Sequence, residues 1–219
     1  MYRHIIFDLD GTLLDTSKGI FLTANKTASE FSYPECTDIS RLSLFVGPPL
    51  KTGFELVFDM DEKVIPAAVH RYREIYKEEG IKLYEHYPEL SCVLSELKSK
   101  GYVLSVSTLK NTEAAREMLS DAFPPDLFSS VEGSSVKECE TKSVLIDRCI
   151  RDSQIPFSET LMVGDTEGDE KGARESGVAF LAVEWGFGFR NGYAKLSHVD
   201  SAQNLYKFIT GEDYDDQKN

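Results

Sequence analysis

The chain has 219 residues, 41% apolar and 28% charged, and its 24 basic and 37 acidic side chains give a formal net charge of −13. That length can hold one large domain, or a domain with an insertion, around a sizeable core. The acidic balance and the lack of a basic cluster argue against a nucleic-acid polymer as partner, because such affinity comes from Lys and Arg neutralising phosphates. A small anionic substrate stays compatible, since a metal and a lysine can reverse the sign of charge locally. Cys36, Cys92, Cys139 and Cys149 show no CxxC spacing and read as free thiols. No apolar run approaches the roughly 20 residues of a membrane span, and no signal-peptide pattern opens the chain. The expectation is a cytoplasmic protein with no membrane partner, a monomer by default with a dimer left open.

In chain order, Ile5-Ile6-Phe7 is a short apolar run that ends in Asp8-Leu9-Asp10-Gly11-Thr12. It reads as a buried strand delivering two acids to a loop. Ser17 is placed as the cap of a helix running to about Phe31; Ile39–Phe45 and Leu50–Phe58 follow as helices around the stiff Gly47-Pro48-Pro49 loop. Asp61 is placed as the cap of a helix reaching Glu79 and stopped by Gly80, with Pro66 leaving its start open. From Pro88 the pattern alternates: helix 89–100, strand 102–107, helix 111–120, strand 127–131, helix 142–151, strand 160–163, helix 167–176, strand 178–183 and helix 201–209. Alternation of this kind implies right-handed βαβ units and a parallel sheet covered on both faces. The predicted fold class is therefore α/β, a Rossmann-like parallel-sheet core with an all-helical segment inserted after the first strand. The expected division is 1–15 with 85–210 as the core, 16–84 as the insertion, and 211–219 as an acidic, disordered tail.

In open parallel sheets, ligands bind beyond the carboxyl ends of the strands. Asp8 would lie there, ionised near neutral pH, and an aspartate can act as a nucleophile towards phosphorus without a base. Repulsion is the obstacle. Two unit-charge pairs 4 Å apart cost about 8 kcal/mol at an effective dielectric of about 20. Metal ligands, a lysine and hydrogen-bond donors must therefore come from the rest of the chain. Thr108 ends the second core strand, Lys142 opens a helix where a cation is electrostatically misplaced, and Gly164-Asp165-Thr166-Glu167-Gly168-Asp169 ends the fourth core strand with two more acids.

An Asp pair, a Thr, a Lys and a second Asp pair in this order resemble the haloacid dehalogenase (HAD) superfamily over nearly the whole chain. Asp8-Leu9-Asp10-Gly11-Thr12 looks like its first motif, Thr108 its second, Lys142 its third and Gly164-Asp165-Thr166-x-x-Asp169 its fourth. The helical insertion, Gly47-Pro48-Pro49-Leu50 and Val183-Glu184-Trp185-Gly186-Phe187-Gly188 are similar to the subgroup with phosphoglycolate phosphatases and 5′-nucleotidases. The resemblance implies a Mg²⁺-dependent hydrolase of a small phosphomonoester working through an aspartyl-phosphate. In it Asp8 is the nucleophile and Asp10 the acid and then the base. Asp8, Asp10, Asp165 and Asp169 form the metal site. Thr108, Lys142 and the backbone near Leu9, Gly11 and Leu109 hold the phosphoryl oxygens.

Two departures from the family pattern stand out. Thr141-Lys142-Ser143 replaces the usual Lys-Pro pair, which makes Lys137 a rival for the third motif, and Glu89 stands where a glycine is expected after Tyr87-Pro88. The alternatives within the family are a sugar-phosphate mutase, or a phosphonoacetaldehyde hydrolase using Lys51 as a Schiff-base lysine; outside it, a non-catalytic protein that binds a phospho-ligand. Arg41 and Lys51 are the candidate cations for a second anionic group on the substrate, such as a carboxylate, although a solvated surface charge is the commoner fate of each.

Overall fold

The structure is a computed structural model that describes residues 1–135, 140–189, 192–193 and 195–215. The chain divides into two compact units, Met1–Leu13 with His86–Asn219, and Leu14–Glu85. β1 (His4–Phe7) opens the first unit. The chain then passes through β2 (Leu14–Asp15) into α1 (Ser17–Glu30), α2 (Ile39–Leu42), α3 (Leu50–Phe58) and α4 (Ile65–Ile75), and reaches β3 (Glu85–His86). The first unit resumes with α5 (Leu90–Ser99), β4 (Val103–Asn111), α6 (Thr112–Ala122), β5 (Ser130–Ser134), α7 (Lys142–Ser153) and β6 (Thr160–Gly164). It ends with α8 (Glu167–Ser176), β7 (Ala179–Val183), β8 (His198–Val199) and α9 (Ala202–Thr210).

Six strands form one sheet in the order β5-β4-β1-β6-β7-β8, every neighbouring pair parallel. β1 lies at the centre, with Phe7 opposite Val106 of β4 and Val163 of β6. The central strands are apolar because both faces are covered: Ile5, Ile6, Phe7, Leu161, Met162 and Val163 have no exposed surface. Ile6 and Met162 pack with Ile146 and Cys149 of α7 and Ala173 of α8. This register brings the carboxyl ends of β4, β1 and β6 side by side, which is what positions the site.

At the opposite end of β1, His4 is fully buried; its Nε2 is 2.9 Å from the Ser105 hydroxyl and its Nδ1 is 3.1 Å from that of Ser153. Burial lowers its pKa to about 4. An unfolded histidine titrates near 6.5, so the unfolded chain takes up a proton that the folded protein refuses, and stability falls as pH drops from about 6.5 towards 4. The expected size is up to about 3 kcal/mol at roughly 1.4 kcal/mol per pK unit. Urea unfolding of wild type and His4→Gln at pH 7 and pH 4.5 checks this: the wild type should lose more stability by that margin.

In the second unit, Phe45, Phe54, Phe58 and Tyr72 form the core, with Phe45 and Phe54 edge to face at 5.1 Å. Gly53 makes room for the Phe45 ring, since a Cβ there would sit 2.6 Å from its Cδ1.

Several boundaries differ from the sequence expectation. Ser17 does not cap α1: Thr16 is the N-cap, and the Ser17 amide donates to Asp15 Oδ1. α4 starts at Ile65 rather than near Asp61, with Pro66 in its first turn where a missing N–H costs nothing, and it continues through a π-helical turn at Tyr76–Gly80. β5 lies at 130–134, not 127–131; Leu127 is buried in the preceding turn, so its apolar signal belongs to a loop. Glu89 caps α5 with φ +60, a left-handed conformation that favours glycine, which accounts for the expectation of glycine there. Within the stretch expected to be a disordered tail, Glu212 pairs with Lys100, Asp213 with Lys207, and the Tyr214 ring meets Tyr206 edge-on at 5.2 Å, while residues 216–219 lie outside the described residues. Cys36, Cys92 and Cys149 are free thiols, and no helix among the described residues is long and apolar enough to cross a membrane.

Candidate active site

Asp8 follows directly from β1, and its amide donates to Val163 O at 2.9 Å, so β6 continues to hold the chain beyond the strand. The turn then tightens. Leu9 O accepts from the amides of Thr12 and Leu13, and Gly11 takes φ +87. Asp8 and Asp10 are nearly buried, at 4% and 8% exposure.

Lys142 supplies the first cation. Thr141 caps α7 by accepting from Val144 N, which leaves Lys142 as the first helical residue. Its stem runs along Gly172 of α8, where a Cβ would come within 2.7 Å of Lys142 Cγ. Its ammonium lies 2.5 Å from Asp8 Oδ1 and 2.7 Å from Asp169 Oδ1. These two acids explain a lysine at the wrong end of a helix. Burial alone would lower its pKa, but Asp169 and Asp8 outweigh that and raise it, so the ammonium stays charged.

The second acid pair comes from the β6–α8 junction. Thr166 and Asp169 form a reciprocal capping box: Thr166 Oγ1 accepts from Asp169 N, and Asp169 Oδ2 accepts from the amide of Thr166 at 3.0 Å and its hydroxyl at 2.6 Å. One oxygen of Asp169 thus starts a helix while the other holds Lys142. Asp165 is fully buried. Its Oδ1 accepts from Thr12 Oγ1 at 3.0 Å and its Oδ2 from Phe187 N at 2.8 Å. Three glycines wall it in: a Cβ on Gly11 or Gly186 would lie 2.8 or 2.5 Å from Asp165 Cγ, and one on Gly188 would lie 2.6 Å from Thr166 Cα.

Single carboxylate oxygens of Asp8, Asp165 and Asp169 all lie within 4.8 Å of one another. Burial raises the Asp8 pKa to about 7 against the pull of Lys142, with Asp169 and Asp10 adding to the rise. Burial also raises Asp165 well above the carboxylate range, with Asp169 and Asp8 contributing. A second cation is present that the sequence reading did not single out: Lys110 Nζ is 3.0 Å from Asp10 Oδ1. Four carboxylates (Asp8, Asp10, Asp165, Asp169) face two ammonium groups (Lys110, Lys142), a surplus of two negative charges when all are ionised. Hard oxygen donors with that surplus suit a divalent cation such as Mg²⁺.

Thr108 is buried within β4, just before its irregularity, and its hydroxyl accepts from Lys110 N at 3.1 Å. Leu109 is half-buried beside it. Lys137, the rival of Lys142, lies outside the described residues. Within the second unit, Arg41 donates to the carbonyls of Leu56 at 3.3 Å and Val57 at 2.5 Å, and so closes the end of α3. Lys51 is exposed and pairs with Glu62 at 2.9 Å and Glu55 at 3.5 Å. Glu62 raises its pKa, the opposite of what a Schiff-base lysine needs. Both cations are occupied within their own unit.

Comparison with known proteins identifies the family. The profile described as Haloacid dehalogenase-like hydrolase matches residues 5–183, and the chain belongs to that family. It is 34% identical over 191 residues to a 5′-nucleotidase of Pseudomonas aeruginosa, covering 85% of each chain. It is 26% identical over 191 residues to a phosphoglycolate phosphatase of Vibrio vulnificus, covering 84% of each. The crystal structure of a predicted phosphatase from Clostridium acetobutylicum superposes with a TM-score of 0.88 at 31% identity, over 97% of this chain and 100% of that one. The protein is an enzyme of the HAD phosphatase type.

Proposed function

We propose that this enzyme hydrolyses a small phosphomonoester, a 5′-nucleotide or a short phosphorylated acid, through an aspartyl-phosphate on Asp8. The observation that carries the reading is Lys142 held between Asp8 and Asp169 at 2.5 and 2.7 Å, with Asp165 alongside. Asp8 Oδ attacks phosphorus and the bond to the leaving oxygen breaks. Asp10, protonated at that stage, gives its proton to that oxygen and becomes a carboxylate. Asp10 then takes a proton from water as the water oxygen attacks phosphorus, the bond to Asp8 breaks, and phosphate leaves. Lys142 neutralises charge on the phosphoryl oxygens, while Thr108 and the backbone at Leu9, Gly11 and Leu109 offer donors to them. Asp8, the Asp10 carbonyl and Asp165 would hold Mg²⁺, which supplies the remaining charge neutralisation when bound. Asp169 orients Lys142 and stands close enough to support the metal. The helical unit we assign to leaving-group selection.

The test is hydrolysis of a panel with and without Mg²⁺: nucleoside 5′-monophosphates first, then phosphoglycolate, sugar phosphates and pyrophosphate. Metal-dependent turnover of one phosphomonoester well above the others is expected; no turnover of any would defeat the reading.

Metal binding also has a signature independent of turnover. With Asp8 raised to about 7 and Asp165 raised as well, the metal-free fold keeps protons that the unfolded chain releases. Its stability therefore falls as pH rises through about 7, and a divalent cation takes the place of those protons. Mg²⁺ should raise the Tm more at pH 8 than at pH 6, and Asp165→Asn should abolish the difference. Thermal unfolding in EDTA and in Mg²⁺ at the two pH values decides the matter, and equal shifts would count against the site.

A further inference from the structure

The Lys110–Asp10 pair takes no part in the scheme above. Both side chains are about nine-tenths buried, at 9% and 11% exposure, so neither is a surface charge that met its partner by chance. Lys110 is brought there by a local irregularity in β4. Thr108 pairs with Gly133 and Asn111 with Ser134, so one step along β5 corresponds to three along β4, and Leu109 and Lys110 are extra. A bulge of this kind interrupts the alternation of side chains and re-aims them. Two further features hold it. The Thr108 hydroxyl accepts from the Lys110 amide at 3.1 Å, and Gly133 lets the bulged backbone close in, since a Cβ there would lie 2.8 Å from Lys110 O and 2.7 Å from Thr112 Cα.

Resting on the proposed function, we propose that Lys110 is a positioning residue that fixes the direction of the Asp10 carboxyl group for proton transfer to the leaving oxygen. Asp10 is nearly buried in the turn after β1, and a buried ammonium 3.0 Å from one of its oxygens constrains the direction of its carboxyl group. Lys142 and the carboxylates around it govern attack at phosphorus; Lys110 governs the far side of the same reaction, where the leaving oxygen needs its proton.

Leaving groups separate this role from a structural one and from direct contact with the phosphate. A p-nitrophenolate departs without a proton, whereas an alkoxide does not. The value of kcat/KM reports the steps up to formation of the aspartyl-phosphate. For Lys110→Met, kcat/KM on the best alkyl phosphate of the panel should fall by about 100-fold, the scale of a general acid's contribution. On p-nitrophenyl phosphate it should change by less than about threefold. Adding Lys110→Met to Asp10→Asn should cost almost nothing more on the alkyl ester, because two residues acting as a unit are not additive. Lys110→Arg, which keeps the charge, should recover most of the alkyl activity, and carries the test if the Met variant fails to fold. Equal losses on both esters, a full further loss in the Asp10→Asn background, or a folded Arg variant no better than Met would overturn the proposal. Wild-type enzyme inert towards every phosphomonoester would instead defeat the functional reading on which the proposal rests.

Discussion

Asp8→Asn is expected to lower turnover by about 10⁴-fold or more and, in the absence of metal, to raise thermal stability. The first effect follows if Asp8 is the nucleophile, because an amide cannot take its place and the residual rate comes from binding alone. The second follows from charge. Burial disfavours the Asp8 carboxylate, and with every group ionised the site would carry two negative charges in excess. Replacing one carboxylate with an amide of the same shape removes one of them. Lys142 is not orphaned, since Asp169 remains 2.7 Å away. A gain of about 1 kcal/mol would appear as roughly 3 °C in Tm for a chain of this size. Thermal scans in EDTA and initial rates in Mg²⁺ measure the two effects; a variant with near-normal kcat would remove Asp8 from the nucleophile's role.

Lys142→Met should also abolish turnover, by about 10³-fold or more, but with the opposite sign on stability. It takes away the cation that Asp8 and Asp169 share and raises the surplus from two negative charges to three. Losing one member of a buried ion pair costs about 3–5 kcal/mol because its partners are left uncompensated. Lys142 holds the Asp8 pKa down, so without it Asp8 keeps its proton at higher pH than in the wild type, and the deficit should be smaller at pH 6 than at pH 8. Adding Asp8→Asn to Lys142→Met should recover part of the lost stability. Urea unfolding of both variants at pH 6 and pH 8 provides the check, and a Lys142→Met protein as stable as wild type at pH 8 would contradict the electrostatic account. Two inactive proteins displaced in opposite directions would show that the acids and the lysine do different physical work.

The sequence made the central architecture legible because its signals there are local. Apolar β1 and β6 end in Asp-rich loops, and α8 runs over the predicted residues because Gly164, the Thr166 cap and Gly177 punctuate it on both sides. Asn111 likewise caps α6 as expected, accepting from the amides of Glu113 and Ala114. What stayed hidden depends on distant pairing. β5 is a polar strand, Ser130–Ser134, that forms because β4 lies beside it, and β8 is only two residues long. Lys110 escaped for the same reason: a regular strand would alternate through it, and only the mismatch with β5 reveals that it is re-aimed. Lys142 could be suspected from its place at a helix start, but its pairing with Asp169 depends on how α7 and α8 pack. The commitment of Arg41 to α3 carbonyls is also invisible in a linear string.

The glycine enclosure of Asp165 has a consequence for inheritance. Gly11, Gly186 and Gly188 carry no reactive side chain, yet any side chain at these positions would occupy space held by Asp165 or the backbone after it. Selection on the one carboxylate thus extends to positions far apart in the chain, and a lineage drifting under it would keep these three hydrogens as strictly as the acid. In a catalogue of tolerated mutations they would be indistinguishable from catalytic residues, although what their missing side chains contribute is empty volume.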